Sequence, residues 1–164
     1  MNTAKKLMDF TAHYDSPLGR ITLATDSTAL TNLSFDSINS IESINSIVSI
    51  DSIPSLSSTR RWIDLYFSGR QPAFTPPINL RGTDFQRRVW QLLLTIPYGQ
   101  TVTYGELARR IGCRSAQAVG GAVGRNPIAL IVPCHRVVGA DGSLTGYAYG
   151  LDRKQYLLQL EQSN

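Results

Sequence analysis

Three helix starts crowd into residues 83–115, and they constrain this chain more than anything else in it. Thr83-Asp84-Phe85-Gln86 and Thr103-Tyr104-Gly105-Glu106 both read as capping boxes. In such a box the threonine hydroxyl accepts from the third helical amide, and the Gln or Glu reaches back to the cap. Ser115 is a third cap. The first helix carries Phe85, Val89, Trp90 and Leu93 on one face and stops at Ile96-Pro97-Tyr98-Gly99. The second ends at Ile111, before the turn Gly112-Cys113-Arg114, and the third runs to about Arg125. Helices this short are marginal in water, so they must pack on one another. Two short helices about a glycine turn form a helix-turn-helix pattern, shared by DNA-binding modules and by corners of all-helical cores. The third helix is built from small residues: Ala116, Ala118, Gly120, Gly121, Ala122 and Gly124. Helical glycine costs roughly 1 kcal/mol relative to alanine, so the run implies close backbone approach. Either another helix comes close, or the helix enters a narrow groove of DNA.

The first half has a different grammar. Phe10, Ala12 and Tyr14 alternate with polar residues, Ser16-Pro17-Leu18-Gly19 turns, and Ile21 and Leu23 resume the alternation. A polar turn at Thr25 to Thr28 leads into Leu30 to Phe35, giving three antiparallel strands. Residues 36–56 then repeat Ser-Ile every three residues, which suits neither an amphipathic helix nor an alternating strand. They read as a low-complexity insertion in a surface loop and, if exposed, an aggregation hazard. Thr59 to Phe67 reads as a helix with Trp62, Leu65 and Tyr66 on one face, ended by Ser68-Gly69. Gln71 to Arg81 holds three prolines and reads as a linker. The expected organisation is α+β in two domains, 1–80 and 81–164.

A formal net charge of +4 permits a nucleic-acid partner without demanding one. No apolar run approaches the ~18 residues needed to span a bilayer. Two lysines near Met1 to Phe10 are followed by no apolar signal core, so a soluble, cytoplasmic protein is expected. Cys113 and Cys134 are expected as free thiols. With only His13 and His135 beside them, no cluster has metal-ligand spacing, and no metal or cofactor is expected.

The sharpest segment is Ile131-Val132-Pro133-Cys134-His135-Arg136-Val137-Val138-Gly139. A free cysteine between apolar runs is usually an inert core residue. In a strand, adjacent Cys and His would face opposite ways, so the pair forms a site only if the chain turns, which Pro133 encourages. A thiol of pKa ~8.5 then needs a base, and His135 is the local one, acting directly or through a water and needing its own orienting acceptor. Core residue and nucleophile both remain open on these residues alone.

IVPCHRVVG resembles the active-site signature of the O6-alkylguanine-DNA alkyltransferases. DFQRRVW, IPYGQTVTYGELARRIG, AVGGAVGRNP, LTGYAYG and RKQYLLQLE resemble further family segments, in family order, and SPLG and LYFSG look familiar in the first half. The resemblance implies a small ribonuclease-H-like α/β domain with a three-stranded antiparallel sheet, then a helical, winged-helix-like domain with the helix-turn-helix. It implies irreversible transfer of an alkyl group from O6-alkylguanine, and O4-alkylthymine, in DNA to Cys134, once per molecule. Under it His135 deprotonates Cys134, Glu161 orients His135, and Asn126 joins the recognition helix to the active-site turn. Tyr104 meets the departing guanine, while Pro133, Tyr147, Ala148 and Tyr149 form the pocket, with the Ala148 amide a donor to the guanine oxygen. Thr103, Tyr104, Gly105, Arg114, Ala116, Gln117, Ala118, Gly121 and Ala140 form the DNA-contacting surface. The implied partner is double-stranded DNA, met in the minor groove by a monomer, with no membrane.

Two positions depart from the pattern. Gln117 stands where many relatives insert an arginine into the duplex, which implies weaker preference for duplex over single strands. Tyr149 stands where several relatives have glycine, which implies a narrower pocket that favours methyl over benzyl adducts; a surface aromatic is the other reading. Cys113 reads as structural, and His13 as a surface or hydrogen-bonded residue. Three other functions are weighed: a non-catalytic binder of alkylated DNA, a helix-turn-helix regulator, and a Cys-His hydrolase. The first lacks the cysteine, the second leaves Cys-His-Glu unexplained, and the third requires turnover.

Overall fold

A computed structural model describes residues 9–36 and 47–163. Strands β1 (Phe10–Ser16), β2 (Gly19–Thr25) and β3 (Leu30–Phe35) form one antiparallel sheet in the order β1-β2-β3. Alternation puts Ala12, Ile21, Leu23, Leu33 and Phe35 into the core. Helix α1 (Pro54–Phe67) packs on this sheet and buries Leu56, Trp62, Ile63 and Tyr66. It begins at Pro54, inside the Ser-Ile repeat and five residues ahead of the expected Thr59. Proline suits the first helical turn, where no amide is required, and Leu56 supplies a buried anchor. The part of the repeat at 37–46 lies outside the described residues, but Val48 donates to the Thr11 carbonyl (2.8 Å), so the tail of the repeat is tied to β1.

Helices α2 (Asp84–Leu93), α3 (Tyr104–Ile111) and α4 (Ala116–Gly124) follow. The Thr83–Gln86 box is complete, and Ser115 Oγ accepts from the Ala118 amide (3.0 Å). The second box is half made. Thr103 accepts from the Glu106 amide, but the Glu106 carboxylate takes Arg110, four residues on, at 2.6 Å. A facing cation competes well with a lone backbone amide. Gly112 ends α3 at φ 74°, the left-handed cap that makes the corner tight. Trp90 locks α2 to α4 by donating from Nε1 to the Ala122 carbonyl (2.8 Å).

Strand β4 (Val102–Thr103) pairs in parallel with β5 (Val137–Val138), and α5 (Leu151–Gln162) closes the chain. The pairing brings the start of α3 beside the residues after Cys134. One hydrophobic core runs through both halves. The free edge of β3 is covered by segments from later in the chain. Leu30 exchanges backbone hydrogen bonds with Pro77 and Asn79, and Leu33 with Pro127 and Ala129, at 2.8–2.9 Å. The end of the proline-rich stretch is thus edge pairing rather than free linker. No helix of the described residues is long and apolar enough to cross a membrane.

Candidate active site

The route of the backbone to Cys134 is set by Asn126, just past α4. Its side-chain amide donates to the Val132 carbonyl (2.8 Å), and its oxygen accepts from the Ile128 amide (3.0 Å). The enclosed residues Ile128 to Val132 are all buried. Leu130 sits at φ 67°, a left-handed conformation that costs a leucine roughly 1–2 kcal/mol. It persists because the Asn126 clasp and the pairing to β3 fix both sides of it. Past Pro133, residues Cys134–Arg136 form one turn of 3-10 helix. The chain therefore turns where a strand would have sent the two side chains to opposite faces.

Around His135 the protein gathers buried charge. Glu161 on α5 bonds His135 Nε2 at 2.5 Å, Arg136 at 2.7 and 3.2 Å, the Gly99 amide at 3.0 Å and the Tyr66 hydroxyl at 2.6 Å. Burial alone would raise this carboxyl, yet the hydrogen bonds and charges of His135 and Arg136 hold it at about 2. Arg136 also donates to the Ile96 carbonyl at 2.8 Å. Burial lowers the pKa of His135, against the pull of Glu161. A carboxylate only accepts, so the imidazole proton sits on Nε2. Nδ1 is buried with no protein hydrogen-bond partner among the described residues, and it is the nitrogen with a lone pair to offer.

Cys134 is 7% exposed. Burial pushes its thiol up, while the Asn126 amide, the Lys154 ammonium and nearby backbone amides pull it down. Lys154 is fully buried and donates to the carbonyls of Val137 (2.5 Å), Thr145 (3.1 Å) and Gly146 (3.2 Å). Burial lowers its own pKa, and the cysteine's charge raises it. Cys134 opens on a cavity of about 180 Å³ whose lining includes Tyr104, Asn126, Tyr147, Ala148 and Tyr149. The Tyr104 hydroxyl donates to the Thr145 carbonyl (3.1 Å). The Tyr147 hydroxyl is buried and has no protein partner among the described residues.

Arg114, Ala116, Gln117, Ala118 and Gly121 are all exposed at the corner and along α4. An open groove of about 580 Å³ lies there, lined by Ala116, Gln117, Gly121 and Thr145 and sharing Tyr104, Gly120 and Gly146 with the Cys134 cavity. A Cβ built on Gly121 or Gly124 would meet nothing within 4 Å, and one on Gly120 would only touch the Tyr104 ring at 3.7 Å. Packing within the protein therefore does not account for the glycines at 121 and 124. Thr103 caps α3 and Gly105 lies in its first turn, both half-buried. Ala140 lies on an exposed turn and lines neither space. Pro133 lines a separate cleft with Trp62, Phe74 and Arg136 rather than the Cys134 cavity. Cys113 is a half-buried thiol donating to the Ser115 carbonyl at 3.5 Å. His13 meets Thr22 at 3.3 Å through Nδ1, but its Nε2 is buried with no hydrogen-bond partner among the described residues, so the expectation of a hydrogen-bonded histidine holds there for one nitrogen only.

Sequence reasoning missed Tyr66, Arg136 and Lys154 as parts of this site. Lys154 left a signal, because it shares the stripe 154, 157, 161 with buried Leu157 and Glu161, where an apolar residue is expected.

A buried free thiol on a small cavity, beside a helix-turn-helix whose exposed face carries mostly small residues, is the arrangement of a DNA-acting thiol protein. The chain belongs to the 6-O-methylguanine DNA methyltransferase family: residues 10–80 match its ribonuclease-like domain and 84–163 its DNA-binding domain. It is 49% identical over 155 residues to the methylated-DNA–protein-cysteine methyltransferase of Mycobacterium tuberculosis, covering 92% of this chain and 93% of that one. It is 46% identical over 153 residues to the protein of that name from Methanosarcina acetivorans, covering 93% and 97%. The crystal structure of Mycobacterium tuberculosis OGT in complex with DNA superposes with a TM-score of 0.84 at 46% identity, covering 94% and 93%.

Proposed function

We propose that this protein repairs alkylated DNA by moving the alkyl group from O6 of guanine to the sulfur of Cys134. The arrangement that carries the reading is a cysteine at the mouth of a small cavity, backed by His135–Glu161 and adjoining an exposed, glycine-rich helix. An alkylated guanine is buried in the duplex, so its nucleotide is rotated out at a cost of a few kcal/mol. Helix α4 approaches the DNA in the minor groove, with Gln117 at the place vacated by the base. The Cys134 proton passes to His135 Nδ1, directly or through a water, and Glu161 stabilises the imidazolium. Thiolate sulfur attacks the alkyl carbon in line, so the S–C bond forms as the C–O6 bond breaks. Guanine leaves as an anion, met by donors at the cavity wall. Tyr104 and Ala148 line that wall; the Tyr104 hydroxyl turns from the Thr145 carbonyl to the leaving oxygen, and the Ala148 amide is the second donor. The guanine anion then takes up one proton, and the thioether stays on the protein, which acts once. The reaction needs DNA in the same compartment, which favours the cytoplasm, at the nucleoid, in a prokaryotic cell. Incubation with DNA carrying methyl-labelled O6-methylguanine is expected to leave one methyl group on Cys134 by mass spectrometry. Turnover beyond one per molecule, or label elsewhere, would overturn the reading.

A further inference from the structure

The wall of the Cys134 cavity at 146–149 belongs to no helix or strand, so something else must hold it in place. Lys154 and Tyr104 anchor its near end at Thr145 and Gly146. Its far end, Tyr149, is held by Arg153 and by the N-terminal half. Arg153 donates from Nη1 to the Tyr149 carbonyl (3.2 Å) and from Nε to the Leu18 carbonyl in the β1–β2 turn (3.0 Å). Its guanidinium lies 5.0 Å over the Phe35 ring, at the end of β3. Phe35 in turn meets the Tyr149 ring edge-on at 5.3 Å, and Tyr149 meets Tyr147 at 5.5 Å. Gly19 leaves room for this clamp, because a Cβ there would approach Arg153 Nη2 to 3.2 Å. Phe35 and Tyr147 thus meet the Tyr149 ring, Arg153 holds its carbonyl, and the β1–β2 turn holds Arg153.

We propose that Arg153 is a positioning residue for adduct specificity: with Phe35 it clamps Tyr149 against the cavity, so that the N-terminal half sets the largest alkyl group Cys134 accepts. A cavity of about 180 Å³ has room for a methyl group beside the base edge far more readily than for a benzyl ring. A tyrosine free to swing outward would enlarge it. One whose carbonyl is bonded to Arg153 and whose ring meets the edge of Phe35, itself covered by the Arg153 guanidinium, keeps its place. The guanidinium does this where an ammonium could not, since its planar fork serves two carbonyls while its face covers a ring.

The inference rests on alkyl transfer to Cys134, and the test separates the two. Single-turnover rates are measured with oligonucleotides carrying O6-methylguanine or O6-benzylguanine, for the full chain and for Arg153→Met, Phe35→Leu, Tyr149→Gly and the Arg153→Met/Tyr149→Gly pair. Arg153→Met keeps the apolar stem and removes the fork. It is expected to raise the benzyl-to-methyl rate ratio about 10-fold, with the methyl rate within about 3-fold of the parent. Phe35→Leu shifts the ratio in the same direction. Tyr149→Gly gives the full gain, and Arg153→Met adds nothing to it, because the clamp has lost its object. An unchanged ratio in both clamp variants, each with a cooperative melting transition, overturns the inference, as does a fully additive double variant. No transfer by the parent chain overturns the proposed function instead.

Discussion

The Tyr66 hydroxyl, on a helix of the N-terminal half, donates to Glu161 Oε2 at 2.6 Å, the same oxygen that holds His135 at 2.5 Å. Burial and the neighbouring Glu161 charge push the Tyr66 pKa far up, so this hydroxyl always donates. It draws on the negative charge that would otherwise favour a protonated His135.

Tyr66→Phe removes that donor and keeps the ring that stacks on Trp62 at 5.2 Å. Glu161 then stabilises an imidazolium more strongly, and the His135 pKa rises. In the proposed transfer a neutral imidazole takes the Cys134 proton, so the acid limb of the alkyl-transfer rate is expected to move to higher pH. The pH profile of single-turnover methyl transfer checks this, with a plateau within a few-fold of the parent. An unmoved acid limb contradicts the assigned role.

Glu161 also sets how the protein responds to acid. Its carboxyl stands at about 2 when folded, against 4.5 for an ordinary glutamate. As pH falls, the unfolded chain takes up this proton first. The stabilisation is therefore complete above about pH 4.5 and lost as pH approaches 2, an effect on the order of 3 kcal/mol. Glu161→Gln should flatten this part of the dependence of urea midpoint on pH. It should also lower stability at neutral pH, because Arg136 keeps its charge without a counterion. Methyl transfer in that variant is expected to fall about 10²-fold or more.

Gly121 faces open space. Gly121→Leu should leave the melting temperature unchanged or raise it, since leucine is the better helix former by up to roughly 1 kcal/mol. Repair of duplex DNA should fall at least 10-fold, while reaction with free O6-methylguanine base stays unchanged. Equal losses on both substrates would show that the glycine serves the protein rather than the groove.

Gln117 is exposed at the start of α4. Gln117→Arg adds a cation that can stack in the gap left by a rotated base, so the ratio of duplex to single-strand repair should rise several-fold at fixed salt. Rates unchanged on both substrates would show that this position does not fill the gap.

Local rules made much of this legible. The Thr83 and Ser115 caps, the Gly112 corner and the alternation in β1 to β3 are short-range physics, and each is found where the residues place it. Departures came where a second partner competes with the local rule. Glu106 turned from its cap to Arg110, and Leu56 drew the repeat's end into α1. The Cys-His-Glu group could be named from family pattern, but not the buried partners around it. Tyr66 and Glu161 are far apart in sequence, and their meeting depends on how α1 and α5 pack on the 3-10 turn. Helix α5 begins at Leu151, after Gly150 in the cap position with no side chain to cap it, which leaves no local signal for its start.

The covered edge of β3 carries a cost in the order of synthesis. A chain leaving the ribosome exposes Leu30 and Leu33 well before Pro127 and Ala129 exist to pair with Leu33. During that interval an open strand edge stands close in sequence to a run of regularly spaced isoleucines, the pairing of features from which intermolecular sheets grow. The fraction of nascent chains that reach the folded state should therefore depend on translation speed across residues 80–130, and on chaperones that cover strand edges, more than on the stability of the finished protein.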